Sequence, residues 1–429
     1  MIWLYRLLFV PLLLLASPYY LWRMRRRGGY AEGFSHRFGA TPPLPSRREG
    51  VARLWIQAVS VGEVLALAPL LEALHRRANL EIYLSTTTST GFRLAREKYS
   101  ALTIGLGYFP LDFWPCSARA WRRIGPDLAI LMEGERWPEH LRQARARGVP
   151  VLAVNARLSD RSFRRSMRLR ALVRASTTGL TRVLCASKRD EQRFRSLGFP
   201  AEKLQTTGNL KMDVSIPLLS AVEKSALRAE VGLGDGLVLL GSSTWAGEEE
   251  ALLRALRLAR EKGLNVSLLL VPRHAERREE LRTLLASSGY RFHFRTAGAA
   301  PGTVDVAVGD TTGELRRLTQ LADVVFVGKS LPPHDGGQTP IEAAVLGKAL
   351  LHGPNMTNFR EVIRSLTESA AVRKVATADE LVEASVALLA DDAARTKLAA
   401  AALAWGESNR GATERTLTVI DTQLGALRL

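Results

Sequence analysis

Two doubly wound α/β domains behind a membrane anchor are what this 429-residue chain predicts, on three observations. Short Val/Ile/Leu runs alternate with helix-period stretches, the mark of parallel strands buried on both faces. The alternation pauses once and restarts, as it does when a chain of this length divides into domains. Residues Ile2 to Trp22 are almost wholly apolar, close to the ~20 needed to cross a hydrocarbon core.

The anchor comes first. Trp3, Tyr5, Tyr19, Tyr20 and Trp22 lie at its two ends, where amphipathic rings prefer the membrane interface, and Arg23, Arg25, Arg26 and Arg27 follow. A secretory signal would carry its charge ahead of the apolar run and a small-residue cleavage site behind it. The order here is the reverse, so a retained anchor with the remainder in the cytoplasm is expected, either spanning or lying in one leaflet.

After a Pro-rich connector, Thr41 to Arg48, strands are expected at Leu54–Val59, Ile82–Ser85, Leu128–Leu131, Val151–Val154 and Val183–Cys185. Helix-period stretches such as Val64–Arg77 and Glu139–Arg147 lie between them. The pattern pauses at Gln205–Pro217. It resumes with Leu237–Leu240, Val266–Val271, Val304–Val308, Val324–Val327 and Ala349–Leu351, and a Leu/Ala-rich tail, Leu381 to Leu403, reads as closing helices. The expected division is an anchor at 1–27, an N-terminal Rossmann-like domain at 28–207, a linker at 208–217 and a C-terminal Rossmann-like domain at 218–429. Two such domains face each other across a cleft, with ligands beyond the carboxyl ends of the strands.

Sixty Lys and Arg against 42 Asp and Glu leave a net charge of +18. That balance favours an anionic partner: nucleic acid, phospholipid or a phosphorylated substrate. No aromatic platform, zinc pattern or recognition helix supports nucleic acid. Arg136 to Arg174 holds eleven Arg against only Glu139 and Asp160. It reads either as a solvated helical face or as a surface for lipid head groups or a phosphorylated acceptor. Two cysteines, Cys116 and Cys185, make neither a disulfide framework nor a four-ligand zinc site.

Several strand ends carry groups suited to chemistry. Ser60, Gly62 and Glu63 follow the first strand, where Glu63 is either a helix-end cap or a general base projecting from the strand end. Glu133 and Glu135 follow Leu128–Leu131; they are either surface caps or a pair that would raise each other's pKa if buried. Lys211, near the linker, is placed to reach an anion. In the second half, Gly241 to Thr244, with Ser243 and Thr244, is a candidate anion nest ahead of a helix. Arg273 and His274 end the next strand. Gly336 and Gly337 run into Pro340 at a helix start, a second candidate anion site, and Glu342 could accept from a ribose diol. There is no GxxxxGK[ST], no GxGxxG after a first strand, no HExxH or CxxC and no GxSxG, so kinase, dehydrogenase, zinc and serine hydrolase readings lose their usual support.

Taken in order, these motifs resemble the 3-deoxy-D-manno-octulosonic acid (Kdo) transferases of lipopolysaccharide synthesis. The resemblance rests on Ala58–Glu63, Ser85–Gly91, Met132–Pro138, Asn155–Phe163, Gly208–Asp213, Pro272–His274, Gly309–Leu315, Ala322–Leu331, the Gly336–Glu342 segment and Gly353–Phe359. It implies the GT-B fold and inverting transfer of Kdo from CMP-Kdo to a lipid A precursor at the cytoplasmic face of the inner membrane. Anionic membrane lipids are the remaining expected partners, and no nucleic acid is. It implies that Glu63 is the catalytic base, that Glu133 and Glu135 are the family's acidic pair, and that Arg273, Gly337 and Glu342 hold the nucleotide. Asn358 lies in the last matching motif. No resident cofactor or metal is expected, since CMP leaves as a monophosphate. The chain departs from the family pattern at Trp245 and Ala246, at Gln338, Thr339 and Ala343, and at Arg136 and Glu139. A GT-B transferase with another nucleotide sugar and a non-catalytic nucleotide- or lipid-binding relative are the alternatives.

Overall fold

In the computed structural model, which describes residues 2–28 and 32–426 apart from the side chains of Arg23 and Arg27, the chain forms two units. The first comprises Met1–Asp213 with Gly411–Leu429, and the second Val214–Arg410.

The first unit holds β1 (Ala52–Ala58), β2 (Leu80–Thr86), β3 (Gly105–Tyr108), β4 (Leu128–Met132), β5 (Val151–Ala156), β6 (Arg182–Cys185) and β7 (Leu204–Thr206). They make one parallel sheet in the order β3-β2-β1-β4-β5-β6-β7. The central strands are buried on both faces: Leu54, Ile56, Leu128 and Ile130 are fully enclosed, as their unbroken apolar runs require. The second unit repeats the plan with β8 (Leu237–Thr244), β9 (Val266–Pro272), β10 (Phe292–Phe294), β11 (Val306–Val308), β12 (Val324–Val327), β13 (Ala349–His352) and β14 (Arg373–Lys374). Its order is β10-β11-β9-β8-β12-β13-β14, again parallel. The expected α/β class and strand series hold. The short strands β3, β7, β10 and β14 were not anticipated.

Three expectations need correction. The single helix at Val64–Arg77 is two, Val61–Ala66 and Ala68–His75. Pro69 cannot donate to the helical ladder and crowds the preceding turn, so the chain breaks at Leu67. The proposed linker is largely part of the first unit, which runs through Asp213. The end of the chain also returns there: the Ala412–Gly425 helix packs Leu417, Ile420 and Leu424 into the core that contains Leu70 and Leu71. Its start is fastened by the Asp213 carboxylate, which accepts from the Gly411 N–H at 3.0 Å and the Thr413 N–H at 2.6 Å. Burial of that apolar face outweighs sequence proximity to the second unit.

The expected anchor is one continuous helix, Ile2–Arg27, long and apolar enough by length and composition to cross a membrane. Most of its large apolar side chains are exposed, Leu7 and Leu15 among them.

Candidate functional site

In each sheet the strand order reverses beside the first strand of its unit, and ligands of such sheets bind outside the strand ends at such a point. In the first unit that position lies between β1 and β4, which pair directly from Leu54–Leu128 to Gln57–Leu131. The loops leaving these two strands carry Glu63 and Glu133.

Ser60 is the N-cap of the Val61–Ala66 helix, and its hydroxyl accepts from the Glu63 N–H. The Glu63 carboxylate folds back over the same turn, accepting from the Val59 N–H at 2.8 Å and the Ser60 hydroxyl at 3.0 Å. The capping role foreseen for Glu63 is therefore real, and it orients the carboxylate. Gly62 adjoins Lys211, whose Nζ would lie in ordinary contact, 3.8 Å, with a Cβ at that position. Burial, foremost, pushes the Glu63 carboxyl up from its ordinary range, with the Glu133 charge adding; the Val59 and Ser60 donors and Lys211 oppose the rise.

Glu133 stands at φ 56° with Gly134 after it at 78°, a left-handed pair that turns the chain sharply off β4. Such a conformation is uncommon for a residue with a Cβ and concentrates at functional sites. Its carboxylate pairs with Lys211 at 2.7 Å and with Arg157 at 2.9 Å. Lys211 thus holds a carboxylate of its own unit, where the sequence suggested an anionic ligand. Arg157 was missed, although it follows the end of β5, the strand next to β4. Glu135 has no such cation pair among the described residues. Burial, then the charges of Glu63 and Glu133, push its carboxyl up to about 7, and only Arg136 opposes them. Three carboxylates thus converge at the β1–β4 strand ends, and a cluster of perturbed acids is a candidate functional site. Among the described residues, no group of His, Cys, Asp or Glu is arranged to hold a metal.

Glu135→Gln tests the crowding. A folded pKa above the unfolded value means that the folded state holds the extra proton, so stability falls as pH rises from about 4.5 to about 7. The amide removes that penalty. Thermal melts should show Glu135→Gln gaining about 1 kcal/mol, or about 2–4 °C, at pH 8 and almost nothing near pH 4. Equal midpoints at pH 8 would mean that the carboxylates do not repel.

In the second unit the reversal lies between β8 and β12, which pair from Leu239–Val324 to Ser242–Val327. Here one carboxylate bridges both loops. Glu248 accepts backbone N–H bonds from Trp245, Lys329, Ser330 and Leu331 at 2.8–3.1 Å. Gly241 to Thr244 does not form the loop expected of an anion nest, because β8 continues through Thr244, and the first turn of the following helix carries Glu248, Glu249 and Glu250. Instead Ser243 stands at φ 56° at a break in the β8–β9 register, and the buried Thr244 hydroxyl has no partner among the described residues. A strand irregularity of this kind re-aims side chains at a rim.

Arg273 and His274 are both exposed at the end of β9. His274 meets Trp245 edge-on at 5.4 Å, and Lys329 stands over the same indole at 4.9 Å. Gly336 and Gly337 take positive φ, 105° and 67°. A Cβ on Gly336 would lie 2.6 Å from the Asn358 amide nitrogen, and one on Gly337 2.2 Å from the Met356 sulfur, so Gly is favoured at both by backbone conformation and by space. The helix after them, Ile341–Val345, has only five residues, too short for the anion site expected of its N-terminus. Glu342 in its first turn keeps one buried oxygen without a partner among the described residues, while the other lies 3.5 Å from Arg316.

Residues 32–214 match the family model described as 3-deoxy-D-manno-octulosonic-acid transferase (kdotransferase). A 3-deoxy-D-manno-octulosonic acid transferase of Bordetella pertussis is 35% identical over 428 residues, 96% of this chain and 97% of that protein. One from Haemophilus influenzae is 33% identical over 423 residues, covering 97% and 95%. Among solved structures, the UDP-GlcNAc 2-epimerase from Neisseria meningitidis bound to UDP-GlcNAc has a TM-score of 0.53 at 14% identity, covering 87% of this chain and 100% of its own. That likeness concerns fold alone.

Proposed function

Because the chain belongs to the 3-deoxy-D-manno-octulosonic acid transferase family, whose members are glycosyltransferases, we propose that it moves Kdo from CMP-Kdo to a lipid A precursor during lipopolysaccharide synthesis. The observation that carries the chemistry is the convergence of Glu63, Glu133 and Glu135 at the β1–β4 strand ends. Inverting transfer needs one base to take the proton of the attacking hydroxyl. Glu63 is that base: two donors fix its carboxylate, and its raised pKa increases its basicity. Glu133, tied to Lys211 and Arg157, holds negative charge beside it and keeps the two cations in place.

The donor is assigned to the second unit. Glu342, with an unpartnered oxygen, accepts from the ribose diol, and Arg273, exposed at its strand end, meets the phosphate. Ser243 and Thr244 line the same strand ends, and Asn358 holds the Gly336–Gly337 turn. A departing monophosphate carries less charge than a diphosphate, so Arg273 balances it without a metal. The Ile2–Arg27 helix and the exposed arginines of residues 161–174 keep the enzyme on an anionic membrane surface, at the cytoplasmic face of the inner membrane.

A panel of nucleotide sugars tests the donor. At a hundred times Kd the correct one should stabilise the protein by about 2.7 kcal/mol in thermal melts. Stabilisation by CMP-Kdo and by CMP is the expected result. A larger shift with a uridine or guanosine sugar would replace the donor.

A further inference from the structure

The first turns of the Ile2–Arg27 helix are fastened to the first unit. The Tyr5 hydroxyl donates to the Asp112 carboxylate at 2.6 Å, and Arg6 grips both oxygens of Glu139 at 2.8 Å. Phe9 stacks on Phe113 with centroids 5.4 Å apart and planes 3° from parallel. A helix held by its first two turns lies along its own domain, with those turns on the same side of the bilayer as the domain.

Between this helix and the Pro138–Ala146 and Arg170–Ser176 helices runs a cavity of about 710 Å³. Its walls are hydrocarbon, with Leu8, Leu12, Leu141 and Leu172 among them, and Arg142 and Arg145 supply positive charge. Leu8, Leu12 and Leu172 are each about half exposed, so the cavity is open to whatever surrounds the helix. An apolar trough with cationic side chains is complementary to an acyl chain carrying an anionic head group.

The position of the cavity says which lipid. Pro138, which lines it, is three residues from Glu135, so at most about 10 Å of chain separates the trough from the carboxylate cluster. Resting on the transferase reading above, we infer that this groove holds an acyl chain of the acceptor lipid, and that the N-terminal helix is one wall of the acceptor site. The acceptor's phosphate meets Arg142 and Arg145, and its sugar hydroxyl is delivered to the Glu63–Glu133–Glu135 cluster. The helix therefore selects substrate as well as attaching the enzyme to the membrane.

The test compares two acceptors with the full-length protein on phospholipid vesicles: the tetraacylated lipid A precursor and its fully deacylated phosphorylated disaccharide. Ala175→Trp places an indole in the groove wall. The ratio of kcat/KM, acylated over deacylated, should fall about tenfold. Should that variant not fold, Leu172→Asn, at a half-exposed position of the apolar wall, is read in the same way and should lower the ratio about threefold. An unchanged ratio in a folded variant overturns the inference. So does an unchanged ratio accompanied by weaker vesicle binding, which would assign the groove to bulk phospholipid. No transfer by the wild type to either acceptor overturns the transferase reading and the groove with it.

Discussion

Glu63→Gln lowers the rate of transfer about 10²–10⁴-fold, the usual contribution of a positioned general base, and leaves the thermal midpoint within a few degrees of wild type. The amide keeps a carbonyl oxygen that can accept from the Val59 N–H or the Ser60 hydroxyl, so the turn is largely preserved while the base is lost. The pH dependence is a second signature. Glu63 acts ionised, and burial together with Glu133 raises its pKa, so the rate climbs with pH through a midpoint above the ordinary glutamate range. Lys211→Met removes a charge that opposes this rise, and the acid limb should move to higher pH. A Glu63→Gln enzyme with near wild-type turnover would remove Glu63 from the mechanism.

Glu248→Ala should cost about 3–5 kcal/mol, read as a lower urea midpoint with an unchanged slope. Its carboxylate is fully enclosed and accepts four backbone N–H groups, three of them in the loop after β12. Each buried donor left without an acceptor costs about 1–3 kcal/mol, partly offset by relaxation. The two loops it joins flank the reversal point of the second sheet, so donor affinity should fall with stability. A loss below about 1 kcal/mol would mean that the loops hold together without it.

How much of this was legible in the sequence varied with range. The long strands β1, β4, β8 and β9 announce themselves as apolar runs because both faces are covered. The strand Gly105-Leu-Gly-Tyr108 does not, since its two glycines break the run, and Arg373–Lys374 is an exposed two-residue edge with no apolar signal. Glu63 and Glu133 were legible as strand-end carboxylates. Their convergence was not, because β1 pairs with β4 only after the chain has passed through β2 and β3, a long-range choice that no local pattern encodes. Arg157 escaped for the same reason. Glu248 carried no such signal, because three of its four acceptor contacts depend on a loop about 80 residues away. The destination of the final helix was equally non-local, decided by the apolar face it buries and by the Asp213 cap.

The most direct measurement mixes the full-length protein with CMP-Kdo and the tetraacylated lipid A precursor on vesicles, and counts products by mass spectrometry alongside free CMP. A Kdo transferase with Glu63 as its base yields acceptor molecules heavier by whole Kdo residues, one CMP released for each, and neither product with Glu63→Gln. An acceptor that returns unmodified while CMP-Kdo stays intact would contradict that assignment.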